Sequence, residues 1–362
     1  LNSSIATSYS TAATTGTADR VGGLVGYDNN GSVANSYATG AVVAANYAGG
    51  LIGRHNGVAS VTKSYATGSV SATSVVGGLV GEQVSASSSI INCFATGVAS
   101  GTTNVGGFMG LYTSGTSTNN WWYNGTNSAG VGSGSPGGIT KANAASDFYA
   151  PNHTVYDIGN ANQWDIFTPV WDVYSGATYP HLHWENYGIA DYVWSGTTST
   201  AWNTTTNWSE GSAPGSGAVV HIFDRTNDPT TSSAVSITTL YLYGGTTTLG
   251  NTLTMSGNTN LSGGTLSAAG YAVAVGGNWS NTGTTFTHGN NTETFNGTGT
   301  QTLTSGGVGT GKQFNNLAKS AAGTVNITTN DVYAGGTVTV SGGTLATKGY
   351  ELTSVGNLTV SS

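Results

Sequence analysis

The sequence predicts an all-β fold built as a β-solenoid, and three observations support this prediction. Only 23 of the 362 residues are charged (15 Asp and Glu plus 8 Lys and Arg), whereas an ordinary soluble domain carries roughly 25% charged residues. No segment places apolar residues at i, i+3, i+4 and i+7 opposite a charged face, so helix signals are nearly absent. Two short motifs recur at a nearly constant period, which is the signature of repeat architectures.

Disorder is the alternative that such a composition raises first. It is rejected because 37% of the residues are hydrophobic and 10% are aromatic, and because these residues recur at regular places. The 57 glycines supply turns, and neutral Ser, Thr and Asn side chains stack on identical neighbours without repulsion. A stack of short strands therefore explains the composition better than a disordered chain does.

Two motifs define the period of the N-terminal third. The glycine motif occurs as GGLVG, GGLIG, GGLVG and GGFMG at 22–26, 49–53, 77–81 and 106–110, which is a period of roughly 28 residues. Between these copies lies a motif such as SYATG, whose aromatic residue keeps the same period through Tyr9, Tyr37, Tyr65 and Phe94. Tyr123 follows as a candidate fifth member. Each period is interpreted as one coil of a β-helix.

Stacked coils bring equivalent residues into columns, or ladders, about 4.8 Å apart. The sequence predicts an inward-facing aromatic ladder and an aliphatic ladder, formed by Tyr9, Tyr37, Tyr65 and Phe94 and by Leu24, Leu51, Leu79 and Phe108. Cys93, the single cysteine, replaces a serine of the motif and is predicted to be a small packed side chain rather than a reactive thiol.

These motifs resemble the GLUG repeat of bacterial secreted and surface proteins, including adhesins, over residues 8 to about 125. The resemblance implies a right-handed parallel β-helix and an extracellular or cell-surface location. The sequence opens at Leu1 and not at Met, as removal of a signal peptide would produce. The stretch 121–184 is similar to the segment that often follows such arrays, although relatives usually have Asp where Asn124 stands. Protease activity, which belongs to separate domains, is not implied.

A second array follows in the C-terminal half. SGGTLSAAGYAVAVGGNW at 262–279 realigns with SGGTLATKGYELTSVGNL at 341–358. The 79-residue offset between the two copies predicts a super-repeat of three or four coils. This half resembles filamentous-haemagglutinin-like and autotransporter-type repeats. We therefore predict three regions: GLUG-type coils at 1–125, an irregular Trp-rich junction at 126–186, and a second solenoid region at 187–362.

Candidate sites concentrate in the junction. Trp164, Trp171 and Trp184 are candidate carbohydrate contacts, although a packed core between the arrays is the favoured interpretation. His181 and His183 share one face of a strand but need a third ligand such as Glu185 to hold a metal. The acids of the region, Asp147, Asp157, Asp165 and Asp172, lack a basic partner, because no Lys or Arg lies between Lys141 and Arg225. No catalytic, metal or cofactor residues are predicted.

The predicted function is a structural and adhesive solenoid that is not an enzyme. It is expected to associate through its ends, with other copies or with the remainder of a parent protein, and to contact a host or matrix glycan or protein. A net charge of −7 argues against nucleic acid as a partner, and no apolar run is long enough to span a membrane. The alternatives are a self-assembling extracellular filament subunit, an ice-binding solenoid and a glycan-active β-helix enzyme. Short Thr-x-Thr pieces at 252–254, 302–304 and 337–339 are the basis of the ice-binding alternative.

Overall fold

The computed structural model describes residues 3–17, 19–158, 163–167, 170–174, 178–185 and 191–361. The described chain is all-β, with four short 3-10 helices and strands of two to five residues. It forms two compact units, which comprise Leu1–Ile166 with Val170–Gly188 and Phe167–Pro169 with Ile189–Ser362. The prediction of a parallel β-solenoid is confirmed, since all but one of the described sheets are parallel and pair each strand with its equivalent in the next coil.

Unit 1 begins with regular coils that contribute to five parallel sheets, and their strands pair at the period of the two motifs, as Ser4 does with Ser32. Sheet A contains β1 Ser4–Ala6, β6 Ser32–Ala34, β11 Ser60–Thr62, β16 Ser89–Ile91 and β21 Thr116–Thr118. Sheet B contains β2 Tyr9–Ser10, β7 Tyr37–Ala38, β12 Tyr65–Ala66, β17 Phe94–Ala95, β22 Asn120–Trp122 and β24 Ile139–Lys141. Sheet C contains β3 Thr14–Thr15, β8 Val42–Val43, β13 Val70–Ser71 and β18 Ala99–Ser100.

The glycine motif builds the remaining two sheets of these coils. Sheet D contains β4 Val21–Gly22, β9 Tyr47–Gly49, β14 Val75–Gly77 and β19 Val105–Gly106. Sheet E contains β5 Val25–Asn29, β10 Ile52–Asn56, β15 Val80–Gln83, β20 Met109–Tyr112 and β23 Val131–Ser133. A Cβ atom on Gly49 would lie 1.9 Å from the carbonyl oxygen of Ile52, so the backbone turns here at a distance that only glycine permits.

The aliphatic ladder lies in the core of these coils. The backbone N–H groups of Leu24, Leu51 and Leu79 donate to the carbonyl oxygens of Leu51, Leu79 and Phe108, respectively, at 2.7–3.0 Å. Leu51, Leu79 and Phe108 are fully buried, and Leu24 in the first coil is partly buried. The ladder therefore forms one continuous apolar column along the stack.

Residues 143–166 and 170–185 complete unit 1 outside the regular coils. The described part of this stretch, hereafter the cover segment, contains three 3-10 helices and one antiparallel pair of strands. These elements are η1 Ala145–Phe148, η2 Thr154–Tyr156, β25 Trp171–Asp172, β26 His181–Leu182 and η3 His183–Glu185. The sequence predicted an irregular region here because both repeat motifs stop.

Unit 2 is a second parallel solenoid with shorter, three-faced coils, in which Thr259 already pairs with Trp279 of the next coil. Sheet F contains β27 Tyr192–Val193, β28 Val219–Ile222, β30 Thr239–Leu242, β33 Thr259–Leu261, β36 Trp279–Asn281, β39 Thr300–Thr304, β41 Thr324–Ile327 and β44 Thr344–Ala346. Sheet G contains β29 Val235–Ile237, β32 Leu253–Met255, β35 Val273–Val275, β38 Thr292–Phe295, β40 Asn316–Lys319, β43 Val338–Val340 and β46 Leu358–Val360.

The third face of unit 2 is divided between two smaller sheets. Sheet H contains β31 Thr246–Thr248, β34 Thr265–Ser267 and β37 Thr285–Thr287, and sheet I contains β42 Val332–Ala334 and β45 Leu352–Ser354. The helix η4 Thr205–Asn207 precedes the regular coils. The aromatic residues Trp194, Trp202 and Trp208 pack at the start of the apolar core of this unit.

The 79-residue offset does not correspond to a whole number of coils. β34 belongs to sheet H, whereas its sequence equivalent β44 pairs with β41 in sheet F. β35 lies in sheet G, and its equivalent β45 pairs with β42 in sheet I. The second copy thus lies on a different face. The same sequence fits either face, because all three faces require the same alternation of inward apolar and outward polar residues.

Candidate functional site

The aromatic ladder is a continuous stack on sheet B. The ring centres of Tyr9 and Tyr37, Tyr37 and Tyr65, and Tyr65 and Phe94 are 5.2, 4.9 and 4.8 Å apart, with interplanar angles of 15°, 6° and 5°. The residues are paired in register along the sheet. The next rung is Trp121, which pairs with Phe94, and not Tyr123 as the period suggested.

The ladder does not face inward as predicted. Successive residues of a strand point to opposite faces, and it is Ala38, Ala66 and Ala95 that lie in the apolar core. A Cβ atom on Gly23 would lie only 2.8 Å from the Cβ of Ala38, so the coil has room for alanine but not for a ring at this position. The aromatic residues consequently occupy the outer surface of the coils.

The cover segment buries the central rungs of this outer ladder. Phe94 is fully buried and contacts the rings of Phe148, Trp171, Trp164 and Tyr179 at centre distances of 5.5, 5.7, 6.0 and 6.1 Å. The exposure of the ladder increases towards the first coil. Tyr37, in the second coil, is half-buried, and Tyr9, in the first coil, is 57% exposed. The cover segment and the ladder thus form a second apolar core outside the coils.

The three tryptophans proposed as carbohydrate contacts differ in exposure. Trp164 and Trp171 are buried and stack on each other at 4.9 Å. Trp184 is half-buried, stacks on Tyr37 at 5.6 Å and donates its indole N–H to the carbonyl oxygen of Asn35 at 2.9 Å. Their faces are occupied by neighbouring rings, so these indoles do not form an open flat platform for a sugar.

Polar contacts fix the cover segment to the ladder. The Tyr65 hydroxyl donates to the Glu185 carboxylate, with Oε2 at 2.8 Å and Oε1 at 3.0 Å. The Lys63 ammonium contacts Asp165 at 2.5 Å. Each pair joins a coil residue to a residue of the cover segment that lies far along the chain, and together they hold the aromatic faces in contact.

The two histidines of the junction pair with different carboxylates. His181 Nδ1 lies 3.3 Å from Glu185 Oε2, and His183 Nδ1 lies 2.8 Å from Asp172 Oδ1. Burial raises the pKa of Asp172, and the hydrogen bond from His183 opposes this effect. His181, His183 and Glu185 are therefore not brought to one point as a metal site would require.

The junction acids also serve local structure. Asp147 Oδ2 accepts the backbone N–H groups of Asn143 and Ala144 at 2.7 and 3.2 Å. Asp157 adopts the left-handed conformation at the end of η2, and Asp165 pairs with Lys63. Asp147, Asp157 and Asp165 thus each belong to a different local feature of the cover segment.

Buried polar groups inside the coils escaped the sequence analysis. In unit 1, His55 Nδ1 lies 2.9 Å from Asp28 Oδ2, and both side chains are buried. Burial also raises the pKa of the Cys93 thiol to about 12, which fits the packed, unreactive role predicted for it. Asp28 and His55 each follow the last residue of a glycine motif by two positions in adjacent coils, and this equivalence was the sequence signal for their contact.

Unit 2 contains an isolated carboxyl in its core. Glu293 is fully buried between Val273 and Leu317 in the inward column of sheet G, and neither of its oxygens has a hydrogen-bond partner among the described residues. Burial raises its pKa to about 8, opposed in part by the neighbouring Asn291 amide. Lys319, also buried, instead donates to backbone carbonyl oxygens, with Gly297 at 3.0 Å.

The three Thr-x-Thr pieces noted in the sequence do not all share a face, because two lie on sheet G and one on sheet F. On sheet G, Thr254 and Thr339 belong to one column but are separated by Ala274, Thr294 and Ala318. A regular array of hydroxyls instead covers sheet H, where Thr246, Thr265 and Thr285 are in register and Thr248, Ser267 and Thr287 form the second column. This array extends over three strands.

The fold places this chain in the class of parallel β-solenoid proteins, and its strands form two repeat-built units. A family model described as the GLUG motif matches residues 17–43, the stretch that contains the first glycine motif and the following SYATG. No curated protein and no solved structure is significantly similar to the chain. The chain is accordingly a β-solenoid whose residues 17–43 match the GLUG motif.

Among the helices of the described residues, none has the length and apolar character that crossing a membrane demands.

Proposed function

We propose that this chain is the structural and adhesive β-solenoid of a bacterial surface or secreted protein, that it acts outside the cell, and that it has no catalytic activity. The match to the GLUG motif and the repeat-built parallel fold support the proposal. Three of the junction acids, which are the residues that an enzymatic function would most readily use, are engaged in local contacts of the cover segment, namely Asp147, Asp165 and Asp172.

The regular outer surface carries this proposal. On sheet A the serines of four successive coils are paired in register and face away from the core, namely Ser4, Ser32, Ser60 and Ser89. Sheet H presents threonines in the same way. Hydroxyls repeated about every 4.8 Å along a solenoid suit a partner that is itself extended and repetitive, such as a surface polysaccharide or a matrix fibre.

Adhesion is tested with the full chain coupled to fluorescent beads. We expect these beads to bind to cell surfaces or matrix preparations and to be displaced by soluble chain, whereas beads coated with albumin do not bind. The same preparation is incubated with polysaccharides, and no new reducing ends or unsaturated products are expected. Absence of displaceable binding would contradict the adhesive role, and reproducible turnover would contradict the non-enzymatic one.

Association through the solenoid ends, with another copy or with further coils of a parent protein, is the second candidate. It is favoured by the last described coil, in which the apolar residues Leu358 and Val360 of β46 are 63% and 70% exposed. Strand edges with unpaired N–H and C=O groups template further strands. Analytical ultracentrifugation at rising concentration is expected to show oligomers, and Leu358→Lys is expected to reduce them. A strictly monomeric chain would exclude the filament form.

A further inference from the structure

An open polar cleft in unit 2 has features of a ligand site. It has a volume of about 740 Å³ and lies between the loop at 195–197 and the loop at 224–227. We call it the Arg225 cleft. Its side chains carry hydroxyl, amide, carboxylate and guanidinium groups, contributed by Ser195, Thr197, Thr226, Asn227, Asp224 and Arg225.

Arg225 is held in place but its binding edge is free. The guanidinium carbon lies 3.6 Å from the centre of the Phe167 ring, and Nε donates to the carbonyl oxygen of Ser195 at 3.4 Å. Within the part of the chain that the structure describes, the two terminal nitrogens have no hydrogen-bond partner and no carboxylate lies within 4.0 Å. A planar arginine fixed by stacking presents the fork that binds a carboxylate bidentately.

The remaining groups of the cleft restrict the class of ligand. Asp224 and Thr226 line the same cleft as Arg225, so one carboxylate and one hydroxyl are available to a ligand that contacts the guanidinium. A densely anionic ligand such as a polyphosphate would be repelled by Asp224. A ligand with a single carboxylate and several hydroxyls satisfies both residues, since its hydroxyls donate to Asp224 while its carboxylate meets Arg225.

We propose that the Arg225 cleft binds a uronic acid residue of an acidic polysaccharide, with the sugar carboxylate on Arg225 and sugar hydroxyls on Asp224 and Thr226. Burial lowers the pKa of Arg225, which reflects a guanidinium that has lost part of its hydration, and an anionic ligand would offset that loss. The inference rests on the adhesive role proposed above and names the class of its partner.

The test is a calorimetric titration of the full chain with tetragalacturonate and with an uncharged galactose tetramer. We expect the charged oligomer to bind at least roughly tenfold more tightly. Arg225→Lys is expected to weaken binding by a similar factor, because an ammonium keeps the charge but cannot form the bidentate pair. Lys348→Gln, which removes an exposed cation of the same unit, is the control and should leave the affinity unchanged.

Hydrogen exchange of the wild-type chain keeps the proposal testable if Arg225→Lys perturbs folding. Tetragalacturonate is expected to protect amides of the 195–197 and 224–227 loops. Equal binding of both oligomers, an unaltered Arg225→Lys affinity, an equal loss in Lys348→Gln, or protection confined to other segments would each overturn the inference. Displaceable bead adhesion combined with no uronate binding would refute the cleft alone, whereas uronate binding without adhesion would refute the adhesive role alone.

Discussion

Replacing Phe94 with alanine is expected to lower the free energy of unfolding by about 3–5 kcal/mol, the usual cost of removing a fully buried aromatic side chain. Phe94 is 0% exposed and is the rung on which Phe148, Trp164 and Trp171 converge. Its loss would leave a cavity between the ladder and the cover segment. Urea denaturation of the full chain measures the effect, and hydrogen exchange in the cover segment localises it.

Tyr9→Ala is the matched control for Phe94→Ala. Tyr9 belongs to the same ladder and stacks on Tyr37 at 5.2 Å, but it is 57% exposed, so its truncation is expected to cost less than about 1 kcal/mol. Tyr37→Ala, on a half-buried rung, should fall between the two. Equal losses at all three positions would show that the cover segment contributes nothing to the stability of the ladder.

The period of the motifs was sufficient to predict the ladder but not its direction. A constant step between copies places Tyr9, Tyr37 and Tyr65 in one column whichever way they point. The strands concerned contain two residues, such as Tyr37–Ala38, which is too short for an alternating pattern to identify the buried face. Hydrophobicity then favoured the tyrosines. The close approach of Gly23 to Ala38, which excludes a ring, is a three-dimensional property.

The cover segment shows a second limit of sequence analysis. Its aromatic density predicted a packed core, and Trp164 and Trp171 are buried. The surface against which they pack is the outer face of coils that precede them by a long stretch of chain, through contacts such as Tyr65 with Glu185. No periodicity links such positions, so the pairing becomes visible only in the folded chain.

Local pattern could have identified the buried acid of unit 2. In Thr292–Phe295 the residues alternate, and Glu293 shares the parity of Phe295, whose side chain is buried. The alternation rule therefore assigns Glu293 to the core face.

The stability of unit 2 is expected to fall as pH rises, because of Glu293. Its pKa is about 8 in the folded chain, against an ordinary value of 4.5. Between these two pH values the folded state therefore keeps a proton that the unfolded state has already released. The contribution is fully present below about pH 4.5 and is lost as pH rises through 8, at a cost of about 4–5 kcal/mol. Burial of an ionised carboxylate in an apolar column, which the neighbouring Asn291 amide offsets only in part, accounts for this direction.

Glu293→Gln removes the titration while preserving the shape of the side chain. At pH 5 the variant is expected to match the wild type within about 1 kcal/mol, and at pH 9 it should be several kcal/mol more stable. Glu351→Gln, at an exposed position of the same unit, should show no such pH-dependent difference. Urea denaturation at both pH values, with hydrogen exchange of Thr292–Phe295 to report on unit 2, provides the measurement. If the difference in unfolding free energy between wild type and Glu293→Gln were the same at pH 5 and pH 9, the raised pKa of the folded chain would be contradicted. The carboxyl of the unfolded chain is already largely ionised above pH 5, so loss of a proton from the folded chain over this range must change the stability.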